Sequence, residues 1–127
     1  MGERYLIDTN VVIDYLENKL PLKASDILDK TDIQISVISR MEILAWPKVT
    51  ETQLEILNGF INASSVLGLN EPIIIIKAIE IRKNHRVKLP DAIIASTAII
   101  NGFILLTRNT NDFGKIEELS CTDPYKL

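Results

Sequence analysis

Residues 89–107 read LPDAIIASTAIINGFILLT, and this stretch decides the fold class. Pro90 and Asp91 suit the opening turn of a helix, where a missing N–H costs nothing and a carboxylate meets the positive end of the helix dipole. Ile94, Ala95, Ala98 and Ile99 follow at helical spacing, and Asn101-Gly102 closes the helix. Phe103-Ile104-Leu105-Leu106 is then apolar without alternation, the pattern of a strand covered on both faces.

The same alternation of strand and helix recurs upstream. Tyr5-Leu6-Ile7 is a short apolar run that stops at Asp8-Thr9-Asn10, and Val11 to Asn18 carries Val11, Val12, Tyr15 and Leu16 at helical spacing, with Asp14 and Glu17 elsewhere. Pro21 suits the start of a second short helix with Ala24, Ile27 and Leu28 on its apolar face. Ile33-Gln34-Ile35-Ser36 alternates like a strand, and Ser36 or Ser39 can cap a helix running through Met41, Ile43, Leu44 and Ala45. Thr50-Glu51-Thr52-Gln53 resembles a capping box, followed by a stripe of Leu54, Leu57, Phe60 and Ile61. Val66 to Leu69 reads as a strand, and Pro72 opens a long helix through Ile73, Ile76 and Ile79 to a basic tail. Strands alternating with helices predict a single α/β domain over residues 1–127 with a central, mainly parallel sheet.

Composition narrows the function classes. The chain has 127 residues, 46% of them apolar and 24% charged, enough to bury a core without disulfides. The lone Cys121 excludes a disulfide scaffold and a cysteine zinc site. No secretory leader or bilayer-length apolar run is read, so the expectation is a soluble cytoplasmic domain with no membrane association. A net charge of −3 argues against a protein that coats nucleic acid by bulk electrostatics, and leaves open an enzyme whose acids hold metal. Charge is uneven: Lys77 to Lys88 holds five bases, His85 and one acid, Glu80.

Ligands of parallel sheets bind beyond the carboxyl ends of the strands. Asp8 follows the first strand, Glu42 sits inside a mostly apolar helix after the second, and Asp91 opens an apolar helix. Carboxylates are rarely placed in apolar settings without a partner. A hard divalent cation, Mg²⁺ or Mn²⁺, would gather all three, since a carboxylate cluster without Cys or His favours oxygen-seeking ions over zinc. Each acid also has a plainer reading: Asp8 as a helix cap, Glu42 paired with Arg40 or solvated, Asp91 favoured by a helix dipole.

Four segments carry a resemblance: Leu6-Ile7-Asp8-Thr9-Asn10-Val11, Ser39-Arg40-Met41-Glu42, Leu89-Pro90-Asp91-Ala92 onward to Ala98, and Leu105-Leu106-Thr107-Arg108-Asn109-Thr110-Asn111-Asp112-Phe113. In this order and spacing they resemble the motifs of PIN-domain nucleases, above all the VapC-type toxins of toxin–antitoxin pairs. The resemblance implies a PIN-like α/β/α sandwich and a metal-dependent endoribonuclease with Mg²⁺ or Mn²⁺ held by Asp8, Glu42 and Asp91. Many PIN domains carry Asp where this chain has Asn109, so the fourth ligand is Asn109, through its carbonyl oxygen, or Asp112. It also implies an RNA substrate, a homodimer and a cognate antitoxin.

Thr9, Asn10, Ser36 and Thr107 are expected to support the acids by hydrogen bonds, and Arg40, Arg86, Lys88 and Arg108 to meet RNA phosphates. The run Ile73 to Ile76 is too apolar for one helix face and is expected to be partly covered by a second subunit or partner. Two alternatives compete. A haloacid-dehalogenase-like phosphatase also begins with a strand and Asp-x-Asp, but Asn10 replaces its second acid. A non-catalytic PIN-like adaptor with a degenerate metal site is favoured only by Asn109.

Overall fold

Five parallel strands in the order β3-β2-β1-β4-β5 form the centre of the computed structural model, which describes residues 3–127. In chain order the elements are β1 (Tyr5–Ile7), α1 (Thr9–Leu16), α2 (Leu22–Asp29), β2 (Gln34–Ser36), α3 (Val37–Leu44) and α4 (Glu51–Ala63). There follow β3 (Ser65–Leu67), α5 (Pro72–Asn84), α6 (Leu89–Asn101), β4 (Ile104–Leu106), α7 (Thr110–Phe113), β5 (Cys121–Thr122) and a 3₁₀ turn, Pro124–Lys126. The chain builds outward from β1 to β3 on one side, then crosses to β4 and β5 on the other. The order therefore reverses at β1, with Leu6 opposite Leu105 and Ile7 opposite Leu106. Such a reversal leaves a crevice at the carboxyl ends of the two neighbouring strands.

Alternation of side chains along the strands divides the core into two layers. Leu6 and Leu105 face a layer built with Ala78 and Ile81 of α5 and Ala92, Ile94, Ala95 and Ala98 of α6. Tyr5, Ile7, Ile35 and Leu106 face the opposite layer, with Val11 and Val12 of α1, Ala24 and Leu28 of α2, and Leu57 and Ile61 of α4. The result is the α/β/α sandwich expected from the sequence. A buried hydrogen bond from the Ser96 hydroxyl to the Ile74 carbonyl ties α6 to α5.

Three local readings need adjustment. The first helix begins at Thr9, two residues earlier than its apolar spacing suggests, because Asp8 caps it. On α5 the buried face is Ile74, Ala78 and Ile81, while Ile73, Ile75, Ile76 and Ile79 lie exposed. Isoleucines all round a helix give no periodic signal, so the covered side is set by what packs against it. The short α7 and β5 carry too little pattern to be read from sequence at all. The capping box at Thr50 forms as expected, with Thr50 Oγ1 accepting from the Gln53 amide and Gln53 Oε1 from the Thr50 amide. Among the described residues no helix is long and apolar enough to cross a membrane.

Gly102 ends α6 in the left-handed region, at φ +70°, with open space where a Cβ would stand. Gly102→Ala should therefore cost backbone strain alone, about 1 kcal/mol, lowering the thermal midpoint by a few degrees in a calorimetric scan.

Candidate active site at the carboxyl edge of the sheet

The crevice between β1 and β4 is lined from four elements. Asp8 leaves β1 and caps α1, and it is 5% exposed. A carboxylate so buried needs donors, and it has three. The Thr9 amide donates to Oδ1 at 2.8 Å, and the Thr107 hydroxyl and the Asn10 side-chain amide donate to Oδ2 at 2.7 and 3.1 Å. Burial still pushes its carboxyl above the usual range, against the pull of the bonds from Thr107, Thr9 and Asn10 and with help from the charge of Glu42.

Thr107 also accepts the Asn109 amide at 3.0 Å, which fixes the turn after β4. Asn109 in turn donates through its side-chain amide to Asp112 Oδ2 at 3.1 Å. Of the two candidates for fourth ligand, Asn109 thus holds and orients Asp112, while Asp112 presents an exposed carboxylate. Glu42 is exposed on α3 and held from α1: the Thr9 hydroxyl donates to its Oε1 at 2.7 Å and stands 2.9 Å from the Ser39 hydroxyl.

Asp91 differs from the other acids. It is half-buried in the first turn of α6 and makes no hydrogen bond or ion pair among the described residues. Burial raises its carboxyl above the ordinary value, then the negative charges of Asp8, Glu42 and Asp112 raise it further, with Lys88 alone opposing. The charges of acids from three other segments thus act on Asp91.

Of the remaining expected residues, Thr9, Asn10 and Thr107 support the acids, whereas Ser36 is a buried N-cap that accepts the Ile38 amide and touches none of them. Lys88 precedes α6 close enough to influence Asp91, while Arg40 and Arg86 are exposed with no ion pair among the described residues. Arg108 is committed to a different acid, Asp14, at 3.2 Å. Ser39 and Asp14 were missed as site residues, yet their spacing offered a signal: Ser39 lies one turn before Glu42, and Asp14 one turn after Asn10.

The donor set is all oxygen and carries net negative charge, which fits a hard divalent cation. Among the described residues no three acidic, His or Cys side chains stand close enough to grip an ion as they are.

The sequence model of the PIN domain matches residues 5–119. Among solved structures, a toxin–antitoxin complex from Klebsiella pneumoniae is 28% identical, with a TM-score of 0.77 over 97% of this chain and 99% of that one. DNA-bound VapBC from Salmonella typhimurium is 26% identical, with a TM-score of 0.80 and the same coverage of both chains. A VapBC structure from nontypeable Haemophilus influenzae, 22% identical, shares the fold with a TM-score of 0.79 over 94% of this chain and 97% of that one. Among curated proteins none matches the chain in sequence. With the family's sequence pattern spanning nearly the whole chain, and its fold and sheet-edge acids in place, the protein belongs to the PIN-domain family and resembles its VapC-type toxins.

Proposed function

We propose that the chain is a metal-dependent endoribonuclease using Mg²⁺ or Mn²⁺, the toxin of a toxin–antitoxin pair, acting in the cytoplasm on RNA phosphodiester bonds. The observation that carries this reading is Asp91, a half-buried carboxylate with no partner among the described residues, raised by burial and then by the charges of Asp8, Glu42 and Asp112. Raised carboxyls at Asp8 and Asp91 work against folding, and a bound cation would relieve that cost.

Asp8 and Asp91 would hold the ion, with Glu42 and Asp112 completing its ligands. When bound, a divalent ion supplies a water of lowered pKa and neutralises charge developing on the phosphate. The chain's own residues orient this arrangement. Three donors fix Asp8, the Thr9 hydroxyl holds Glu42, and Asn109 holds Asp112. Lys88, Arg108, Arg40 and Arg86 would supply positive charge for RNA phosphates.

Two apolar surfaces support the partners. A groove of about 160 Å³ between α1 and α4, lined by Ile13, Leu16, Trp46, Ile56 and Leu57, suits an apolar segment of the antitoxin; the Klebsiella and Salmonella relatives are toxin–antitoxin and VapBC complexes. The exposed Ile73, Ile75, Ile76 and Ile79 of α5 suit a second copy of the chain. Ile76→Lys should then convert a dimer to a monomer in light scattering, and an unchanged mass would remove this face from the interface.

Purified chain incubated with total RNA should give discrete cuts in Mg²⁺ or Mn²⁺, and none with chelator. Folded Asp91→Asn should cut more than about 100-fold slower, the loss expected when a ligand itself is removed. Cuts that survive chelator or Asp91→Asn would refute the reading. Neither cutting nor metal binding would instead leave the adaptor with a degenerate site.

The pKa shifts make a separate prediction. Folding raises the Asp8 and Asp91 carboxyls above their ordinary value of 3.8, so the folded chain binds these protons more tightly than the unfolded chain. Stability from both groups is therefore greatest at low pH and falls as pH climbs through the raised values. Without metal, Asp91→Asn should melt higher than the wild type at neutral pH, and the gap should narrow as pH is lowered. Added Mg²⁺ or Mn²⁺ should raise the wild-type midpoint more than that of the variant.

A further inference from the structure

Asp8 and Asp14 are the two buried carboxylates among the described residues, and the chemistry above uses only Asp8. Asp14 lies one helical turn beyond Asn10, so both side chains share a face of α1. Both grip the same residue. Asn10 Oδ1 accepts the Arg108 backbone N–H at 3.3 Å, and Asp14 Oδ2 pairs with Arg108 Nε at 3.2 Å. That same Asp14 oxygen accepts the Tyr125 hydroxyl at 2.8 Å, so the C-terminal 3₁₀ turn backs the pair.

The pair is lopsided: the Asp14 side chain is 7% exposed and that of Arg108 51%. A guanidinium held by Nε keeps its terminal nitrogens for a second anion. Among the described residues Arg108 has no other carboxylate partner. Its neighbours on either side are Thr107, which bonds Asp8, and Asn109, which bonds Asp112. The free edge of Arg108 therefore rides on the same turn as two site contacts. An arginine already fixed at Nε loses less rotamer freedom on meeting a phosphate than one moving freely.

We infer that Asp14 is a positioning residue: backed by Tyr125, it turns Arg108 so that the open edge of the guanidinium meets a phosphate of RNA laid across the acidic site. This rests on the nuclease reading and adds a route to it, since Asp14 acts on the substrate only through Arg108.

The test uses the full chain in an Asp91→Asn background, expected to bind RNA without cutting it. A short fluorescent single-stranded RNA is titrated over a range of salt against this parent and against Asp14→Asn, Arg108→Ala and both together. Asp14→Asn keeps its shape and an acceptor for Tyr125. Each single change should weaken binding about fivefold and reduce the salt slope by about 0.7, the mark of one lost phosphate contact on a single strand. The double variant should bind no more weakly than Arg108→Ala alone. Tyr125→Phe should give a smaller loss that also vanishes once Arg108 is alanine, and it carries the same comparison should Asp14→Asn fail to fold. Losses that multiply, or an Asp14→Asn that binds like its parent, overturn the inference and leave the nuclease reading standing. A parent that binds no RNA, with a wild type that cuts none, overturns both.

Discussion

The hydrogen bond from Thr107 to Asp8 joins the carboxyl ends of β1 and β4, and the site depends on it. Asp8 is buried at the point where strand order reverses, and a buried carboxylate is tolerated only with its oxygens occupied. That requirement recruits three pieces of chain. The start of α1 gives the Thr9 amide and the Asn10 side chain, and the turn after β4 gives Thr107. Satisfying one charge thus fixes how α1 and the turn carrying Asn109 and Asp112 sit against the sheet.

The other acids are arranged on the opposite principle. Asp91 has no partner among the described residues and Glu42 and Asp112 are exposed, each held through one neutral side chain. Burial first, and then repulsion from Asp8, Glu42 and Asp112, raises the Asp91 carboxyl and works against folding, with Lys88 opposing. Proteins carry such local costs where activity needs them, and the two apolar layers of the sandwich offset the cost here.

Much of this was legible in the sequence, for identifiable reasons. Parallel strands buried on both faces read as unbroken apolar runs, so Phe103 to Leu106 announced the sheet. Asp8, Glu42 and Asp91 stood out because a charge in an apolar setting breaks a pattern. Asp14 broke none: helical spacing assigned it to the polar side of α1, and its partners Arg108 and Tyr125 are distant in sequence. Ser36 carried the reverse difficulty, since a helix cap and a site hydroxyl need the same residue type in the same place after a strand. The packed side of α5 was hidden because isoleucine on every side of a helix leaves its orientation to tertiary contacts.

A rigid anchor and movable partners have a consequence for how the site chooses an ion. If all four acids were fixed as firmly as Asp8, the spacing between them would set one ionic radius. Here Asp8 supplies the fixed point, while Glu42 and Asp112 are exposed and each held by a single side chain, Thr9 and Asn109. Under the proposed function, selectivity would come from donor chemistry rather than cavity size, since oxygen ligands disfavour soft ions and side-chain freedom would accommodate the small difference between Mg²⁺ and Mn²⁺. The same freedom costs affinity, because each side chain must be ordered when the ion arrives. On the proposed nuclease reading, RNA would bring its own phosphate oxygens to such an ion and so help to bind it.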